Sequence, residues 1–438
     1  MAFRQLPNSD VRYGLIGFDA QGQERTDDPD GLMSHRLLQL AAQESFTNIF
    51  LFSHGWRGDV PAAIAQYDRW MSAFLDRAPD LQLAKHRFPR FKPLLVGVHW
   101  PSEPWGQEEL GGAGFGAPGG ISAEDLLKSY ADRLGDSPAV RQCLSVLVDE
   151  ARRNAAAEEL SDPARDAYVA LNEALGLGSG GASAPPDADR VEFDPDEAFA
   201  ATNEDEASFG GWNLGGILGP LRLLSYWTMK KRARTIGEGG LHTFLKNLQE
   251  ANAARVHLMG HSFGCIVVSG MVGGPDGHGP LLRPVSSLAL VQGAVSLWSY
   301  SPQIPLSGAG AGYFSHVLGD GKIAGPLVTT RSKNDDAVGF FYPLASRLRG
   351  SAAFAPGSFP EYGAIGAYGI QGLPAGQGSD LEMLAEDGDY GFEQGRVYNL
   401  NGSQYIAKKE GASGAHSDIA GPQVAHVLWE TALASTKP

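Results

Sequence analysis

One pentapeptide concentrates the chain's capacity for chemistry: Gly260-His261-Ser262-Phe263-Gly264, a G-x-S-x-G pattern. In that pattern a serine sits on a sharp strand-to-helix turn with its hydroxyl pushed into the open. The glycines have a steric role, because a Cβ two residues before or after the serine would strike neighbouring backbone. With 57 Gly in 438 residues the bare pattern carries little weight, but its context carries more. It is the chain's single match, and it lies between Val256 to Met259, which reads as a buried strand, and Cys265 to Val268, which opens a packed helix. Ser262 is the candidate nucleophile.

A serine hydroxyl is a poor nucleophile at neutral pH. It needs an imidazole to take its proton, and the imidazole needs an acid to fix its tautomer. Of eleven histidines, His257 lies in a strand, His426 in the last helix, His54 and His261 in flanking turns, and His278 in a loop beyond the elbow helix. His416, in Gly-Ala-His-Ser-Asp between the last strand and the last helix, holds the position of a loop-borne base. The acid belongs on another loop at the carboxyl end of a strand. No Asp or Glu occurs from Ala294 to Gly319, which removes the loop after Ser287 to Gln292. The next strand leads to Asp335 and Asp336; Asp335 is the first candidate and Asp336 the alternative. An oxyanion on the attacked carbonyl needs fixed N–H donors. The Phe263 amide, at a helix N-terminus, supplies one, and the turn His54-Gly55-Trp56 supplies the other through the backbone N–H of Trp56.

These groups need strands and helices to hold them. Val11 to Asp19 with Gln23 to Thr26 reads as an edge hairpin. Asn48 to Phe52 and Leu94 to His99 are too continuously apolar for half-exposed strands and read as central and parallel. Further short apolar runs occur at Ser287 to Gln292, Pro326 to Thr330 and Val397 to Leu400. Helical spacing marks Leu32 to Gln43, a helix capped by Asp59, a stretch from Leu221, and Val424 to Ala434. The alternation predicts a doubly wound, mostly parallel α/β sheet.

Between Trp105 and Pro220 the pattern changes. A Gly-rich run leads to helices beginning at Ser122, near Val140 and at Ser161. Gly176, Gly178 and Gly181 fit G-x-G-x-x-G but follow a helix, so they are not a dinucleotide loop. From Asp187 to Glu206 nine acidic residues face one Arg, which predicts a solvated, mobile loop near 183–210. Lys230, Lys231, Arg232 and Arg234 read as a solvated helix face. The division expected is a core of residues 1–104 and 221–438, with 105–220 inserted as a helical cap over the carboxyl ends of the strands.

The ordered set of His-Gly-Trp, Gly-His-Ser-Phe-Gly, a later Asp and a His before the terminal helix resembles the α/β-hydrolase superfamily over roughly residues 45–100 and 220–436. The two turns are similar to those of bacterial lipases and esterases. The resemblance implies an eight-stranded, mostly parallel sheet and cleavage of a carboxylic ester through an acyl-enzyme on Ser262. An amidase, peptidase or acyltransferase uses the same triad, and a non-catalytic scaffold of this fold is the alternative outside enzymes. The insertion departs from the minimal pattern.

A formal charge of −15 excludes a general nucleic-acid binder, which needs a basic face. A small ester or acyl compound is the partner expected. Cys143 and Cys265 have neither metal nor disulfide spacing and read as buried thiols. No H-E-x-x-H occurs, and His99 with Glu103 and His426 with Glu430 read as local hydrogen bonds, so no metal or other cofactor is expected. The N-terminal residues lack a signal-peptide core and no run of 18 apolar residues exists, which makes a cytoplasmic location the expectation.

Overall fold

The computed structural model describes residues 3–26, 29–55, 60–102, 122–154, 157–209, 216–338, 359–409 and 413–435. Its strands, in chain order, are β1 (Arg4–Gln5), β2 (Arg12–Gly17), β3 (Asn48–Ser53), β4 (Pro93–His99), β5 (Arg255–His261), β6 (Ser287–Val291), β7 (Leu327–Arg331), β8 (Gly378–Glu382) and β9 (Val397–Asn401). They form one sheet ordered β1-β2-β4-β3-β5-β6-β7-β9-β8. Only β1 is antiparallel to its neighbour.

The helices are α1 (Met33–Gln43), α2 (Val60–Leu75), α3 (Ala78–Arg87), α4 (Ala123–Leu134), α5 (Pro138–Arg153), α6 (Asp162–Ala174), α7 (Pro195–Phe209), α8 (Leu221–Ile236), α9 (His242–Ala251), α10 (Gly264–Gly273), α11 (Ser315–Gly319), α12 (Ile365–Tyr368) and α13 (Pro422–Leu433). Successive strand residues face opposite sides of a sheet, and here both sides are apolar. In β3, Ile49 and Leu51 enter one core with α1, α8, α9 and α10, while Phe50 and Phe52 enter a second with α2, α3 and α13. Helices therefore cover both faces, as the continuously apolar strands predict. On the second face Trp429 stacks on Phe74 with ring centroids 4.1 Å apart and donates its indole N–H to the Phe74 carbonyl at 2.7 Å.

Among the described residues the sheet has nine strands, against the eight that the resemblance implies. The edge hairpin is reduced to an isolated Phe18–Glu24 bridge, with backbone bonds from Asp19 N to Gln23 O and from Arg25 N to Gly17 O on either side. The extra strand β8, Gly-Ser-Asp-Leu-Glu, is polar and exposed and so has no apolar signature.

The insertion differs more. Residues 187–206 are not a solvated loop. Asp187 and Asp189 are buried, and 195–209 is helix α7. The four cations of α8 are not a solvated face either. Lys230 is fully buried and donates to Asp189 at 2.6 Å. Arg234 donates to both carboxylate oxygens of Asp187, at 2.6 and 3.1 Å. Lys231 caps the C-terminal end of α6 through the carbonyls of Leu175 and Gly176, and the buried Arg232 reaches the Pro101 carbonyl. Burial raises the Asp189 carboxyl and lowers the Lys230 ammonium from their ordinary values. Charges this deep persist only when paired, and each member of the acidic run that lies under α8 has found its cation. Helices α4, α5 and α6 place Leu126, Tyr130, Leu144 and Tyr168 in the same apolar core as β5 and α10. The described helices of the insertion thus share the core of the sheet. Ser122 and Ser161 cap α4 and α6 as their sequences predict. Asp59 lies outside the described residues. Among the described residues no helix is long and apolar enough to cross a membrane.

Candidate active site

β5 ends at His261, α10 begins at Gly264, and Ser262 bridges them with φ +56°. A non-glycine residue in this region costs about 1–3 kcal/mol and persists only where its surroundings enforce it. Here the backbone is pinned from both sides: the Ser262 N–H donates to Val291 O at 3.1 Å, and its carbonyl accepts from Ala294 N and Cys265 N, each at 3.1 Å. The glycines permit the corner. A Cβ on Gly260 would lie 2.5 Å from Gly264 O, and one on Gly264 would overlap the carbonyls of Ser53 and His54. Behind the elbow the Cys265 thiol is fully buried, its pKa driven up by that burial.

The candidate base and acid meet on two adjoining loops. His416 Nδ1 donates to Asp335 Oδ2 at 2.8 Å, and an antiparallel bridge between Asp335 and Gly414 joins the loops that carry them. The carboxylate is saturated. Oδ2 also accepts from Gln292 Nε2 at 2.8 Å, and Oδ1 accepts from the backbone N–H groups of Ala337 and Val338 at 3.1 and 3.2 Å. An ionised carboxylate has about four acceptor sites, and all are filled. Because this acceptor holds Nδ1–H, the neutral imidazole presents Nε2 as a lone pair. Asp336 turns the other way, to an exposed ion pair with Lys409 at 3.1 Å.

His261 ties the base loop to the elbow. Its Nε2–H donates to the His416 carbonyl at 2.8 Å, Gln66 donates to its Nδ1 at 3.1 Å, and the two imidazole rings lie 4.8 Å apart. Ser262 is 2% and His416 8% exposed. Among the described residues, the Ser262 hydroxyl donates no hydrogen bond and Nε2 of His416 makes none.

The turn after β3 lies against the serine, for a Cβ on Gly55 would overlap Ser262 Cβ. The Gly55 carbonyl accepts from Ser102 Oγ at 2.9 Å and from His54 Nδ1 at 2.8 Å. His54 stacks on Trp100. Its burial, then His99 beside it, lowers its pKa to about 3, so it is a neutral donor. Trp56 lies outside the described residues. Phe263 precedes α10 as its N-cap, with its ring packed on Tyr226 of α8 at 5.0 Å.

Of the residues singled out in the sequence, Ser262, His416, Asp335 and Phe263 fall in one place, with Gly55 beside them. Gln292, His261 and Gln66 were not assigned partners. Gln292 is the polar end of the otherwise apolar run Ser287 to Gln292, and that polarity is its signal in the sequence. One group among the described residues has metal-ligand types close together: Asp80, His426 and Glu430. Two of the three are engaged otherwise, since His426 Nδ1 bonds Asp80 at 2.9 Å, its Nε2 bonds Gly388 O at 2.6 Å, and Arg77 bonds Asp80 at 2.8 Å. Comparison with protein-family models, curated proteins and solved structures gives no match.

Proposed function

We infer that the protein is a serine hydrolase of the α/β-hydrolase kind, acting on carboxylic esters through an acyl-enzyme on Ser262. The observation that carries this is the left-handed serine on a strand-to-helix corner, beside a loop-borne imidazole whose Nδ1–H is held by a buried carboxylate at 2.8 Å. In the reaction Ser262 Oγ attacks the carbonyl carbon as His416 Nε2 takes its proton; the imidazolium then protonates the departing alkoxide, and water repeats the sequence to release the acid. The oxyanion is met by the backbone N–H of Phe263 and that of Trp56, the donors such a site requires. Residues 105–220 act as the cap; its described part is tied to α8 through Asp187, Asp189 and the end of α6, and the Tyr226 ring of α8 lies against Phe263.

A fluorophosphonate probe tests this, because an activated serine attacks phosphorus as it does carbonyl carbon. Native protein is expected to be labelled and to hydrolyse nitrophenyl esters, and Ser262→Ala to do neither. A second reading, a non-catalytic scaffold, is favoured by the missing Ser262 to His416 hydrogen bond. Catalytic hydrogen bonds are often long before substrate binds. Folded native protein that stays unlabelled makes the scaffold the better description.

A further inference from the structure

The residue after β6 is the least expected member of the site. Gln292 is fully buried, with φ +47°, although it is not glycine. It sits between the two bonds that grip the serine backbone, Ser262 N to Val291 O on one side and Ala294 N to Ser262 O on the other. Gly366 presses on it: a Cβ there would lie 2.8 Å from the Gln292 carbonyl carbon. Thr330 of β7 fixes the amide. Its hydroxyl accepts the Gln292 backbone N–H at 3.1 Å and donates to Oε1 at 3.1 Å, leaving Nε2 to donate to Asp335 Oδ2 at 2.8 Å. That oxygen is the one His416 Nδ1 uses.

We propose that Gln292 is a positioning residue that couples the nucleophile to the acid: the turn that holds the Ser262 backbone also carries the amide that aims Asp335 Oδ2 at His416. The proposal rests on the reading of Ser262, His416 and Asp335 as a triad. A charge-neutral donor suits the task. It turns one oxygen of the carboxylate without adding a charge beside the imidazole, and an amide, unlike an acid, keeps the same donor at every working pH.

The test compares wild type, Gln292→Met and Gln292→Glu as full-length proteins. Neither variant alters the left-handed backbone requirement, so neither adds strain there. In Gln292→Met the donor is lost at similar size; kcat for nitrophenyl ester hydrolysis is expected to fall about ten- to a hundredfold with KM little changed, as loss of a hydrogen bond to a charged group predicts. In Gln292→Glu two carboxyls share one proton. While protonated the new group still donates to Oδ2. Once ionised it adds a second negative charge that holds the proton on His416, so the rising limb of the pH–rate profile moves up by about one unit. The His416 ring titration, followed by histidine-selective NMR without substrate, moves the same way. His261, the other imidazole against His416, keeps its partners in both variants.

The NMR arm separates the two readings. A protein that hydrolyses nothing but shows the His416 shift loses the hydrolase reading and keeps the Gln292 coupling. An active protein in which both variants retain wild-type kcat, limb and titration overturns the coupling alone. A lower melting temperature and lower rate, with limb and titration unmoved in Gln292→Glu, marks a merely structural side chain and overturns it as well.

Discussion

Two histidines in this molecule are paired with a buried aspartate in nearly the same way. His416 donates from Nδ1 to Asp335 at 2.8 Å, and His426 from Nδ1 to Asp80 at 2.9 Å. What differs is the second nitrogen. Nε2 of His426 is 2.6 Å from the Gly388 carbonyl, so both of its nitrogens face acceptors, an arrangement that favours the protonated ring. Nε2 of His416 has no such acceptor among the described residues, and its ring lies 4.8 Å from that of His261, the residue before Ser262. Burial lowers the His426 pKa, but its bonds to Asp80 and Gly388 and the Asp80 charge outweigh that and raise it. One pair is closed on itself and serves packing. The other is left one valence open, which is the condition for moving a proton.

The sharpest way to break the comparison is to neutralise both acids. Asp335→Asn is expected to lower kcat by about 10³–10⁴, because an amide favours the wrong imidazole tautomer. Asp80→Asn should stay within about threefold of wild type in ester hydrolysis. Equal losses would mean that the two pairs are not distinct. In denaturant unfolding the order reverses: Asp80→Asn removes the buried carboxylate that both His426 and Arg77 bond and should cost about 3–5 kcal/mol.

A pH series sharpens the same contrast. A histidine whose folded pKa is raised contributes stability that is complete below its unfolded pKa and lost as pH rises through the folded one. Wild type should therefore lose unfolding free energy above about pH 6.5, and His426→Gln should flatten that part of the slope. A slope unchanged in the variant would assign it to another group. The smallest effect belongs to Asp336→Asn. Its partner is an exposed Lys409, an arrangement worth about 0–1 kcal/mol, and both turnover and stability should stay close to wild type.

The elbow and the loop positions were legible because they depend on local chemistry: glycines at a tight corner, a histidine between the last strand and the last helix. Asp335 and Asp336 were not separable in sequence, since adjacent residues on one loop differ only in which way they point; the structure turns Asp336 toward Lys409. The acidic run departs from its sequence expectation for a related reason. Counting charges within a window sees no partner for Asp187 and Asp189, whose cations lie 47 and 41 residues away on α8. Gln292 is not legible as a partner of the acid, because an uncharged side chain at the end of an apolar strand takes its meaning from Asp335 standing opposite it. Replacing 111–210 by a short linker would strip these partners from α8, so such a deletion tests stability before it tests substrate choice.

The stacking of Trp429 on Phe74 has a consequence for how the protein is made. The two residues are 355 positions apart, so at about 5–20 residues per second the ribosome needs roughly 20–70 s to deliver the second after the first. Throughout that interval Phe50, Phe52 and Phe74 wait without the helix that covers them. A nascent chain with so late a partner depends on a chaperone's shelter or on low local concentration to avoid sticking to its neighbours. Slow codons placed before α13 would lengthen that exposure.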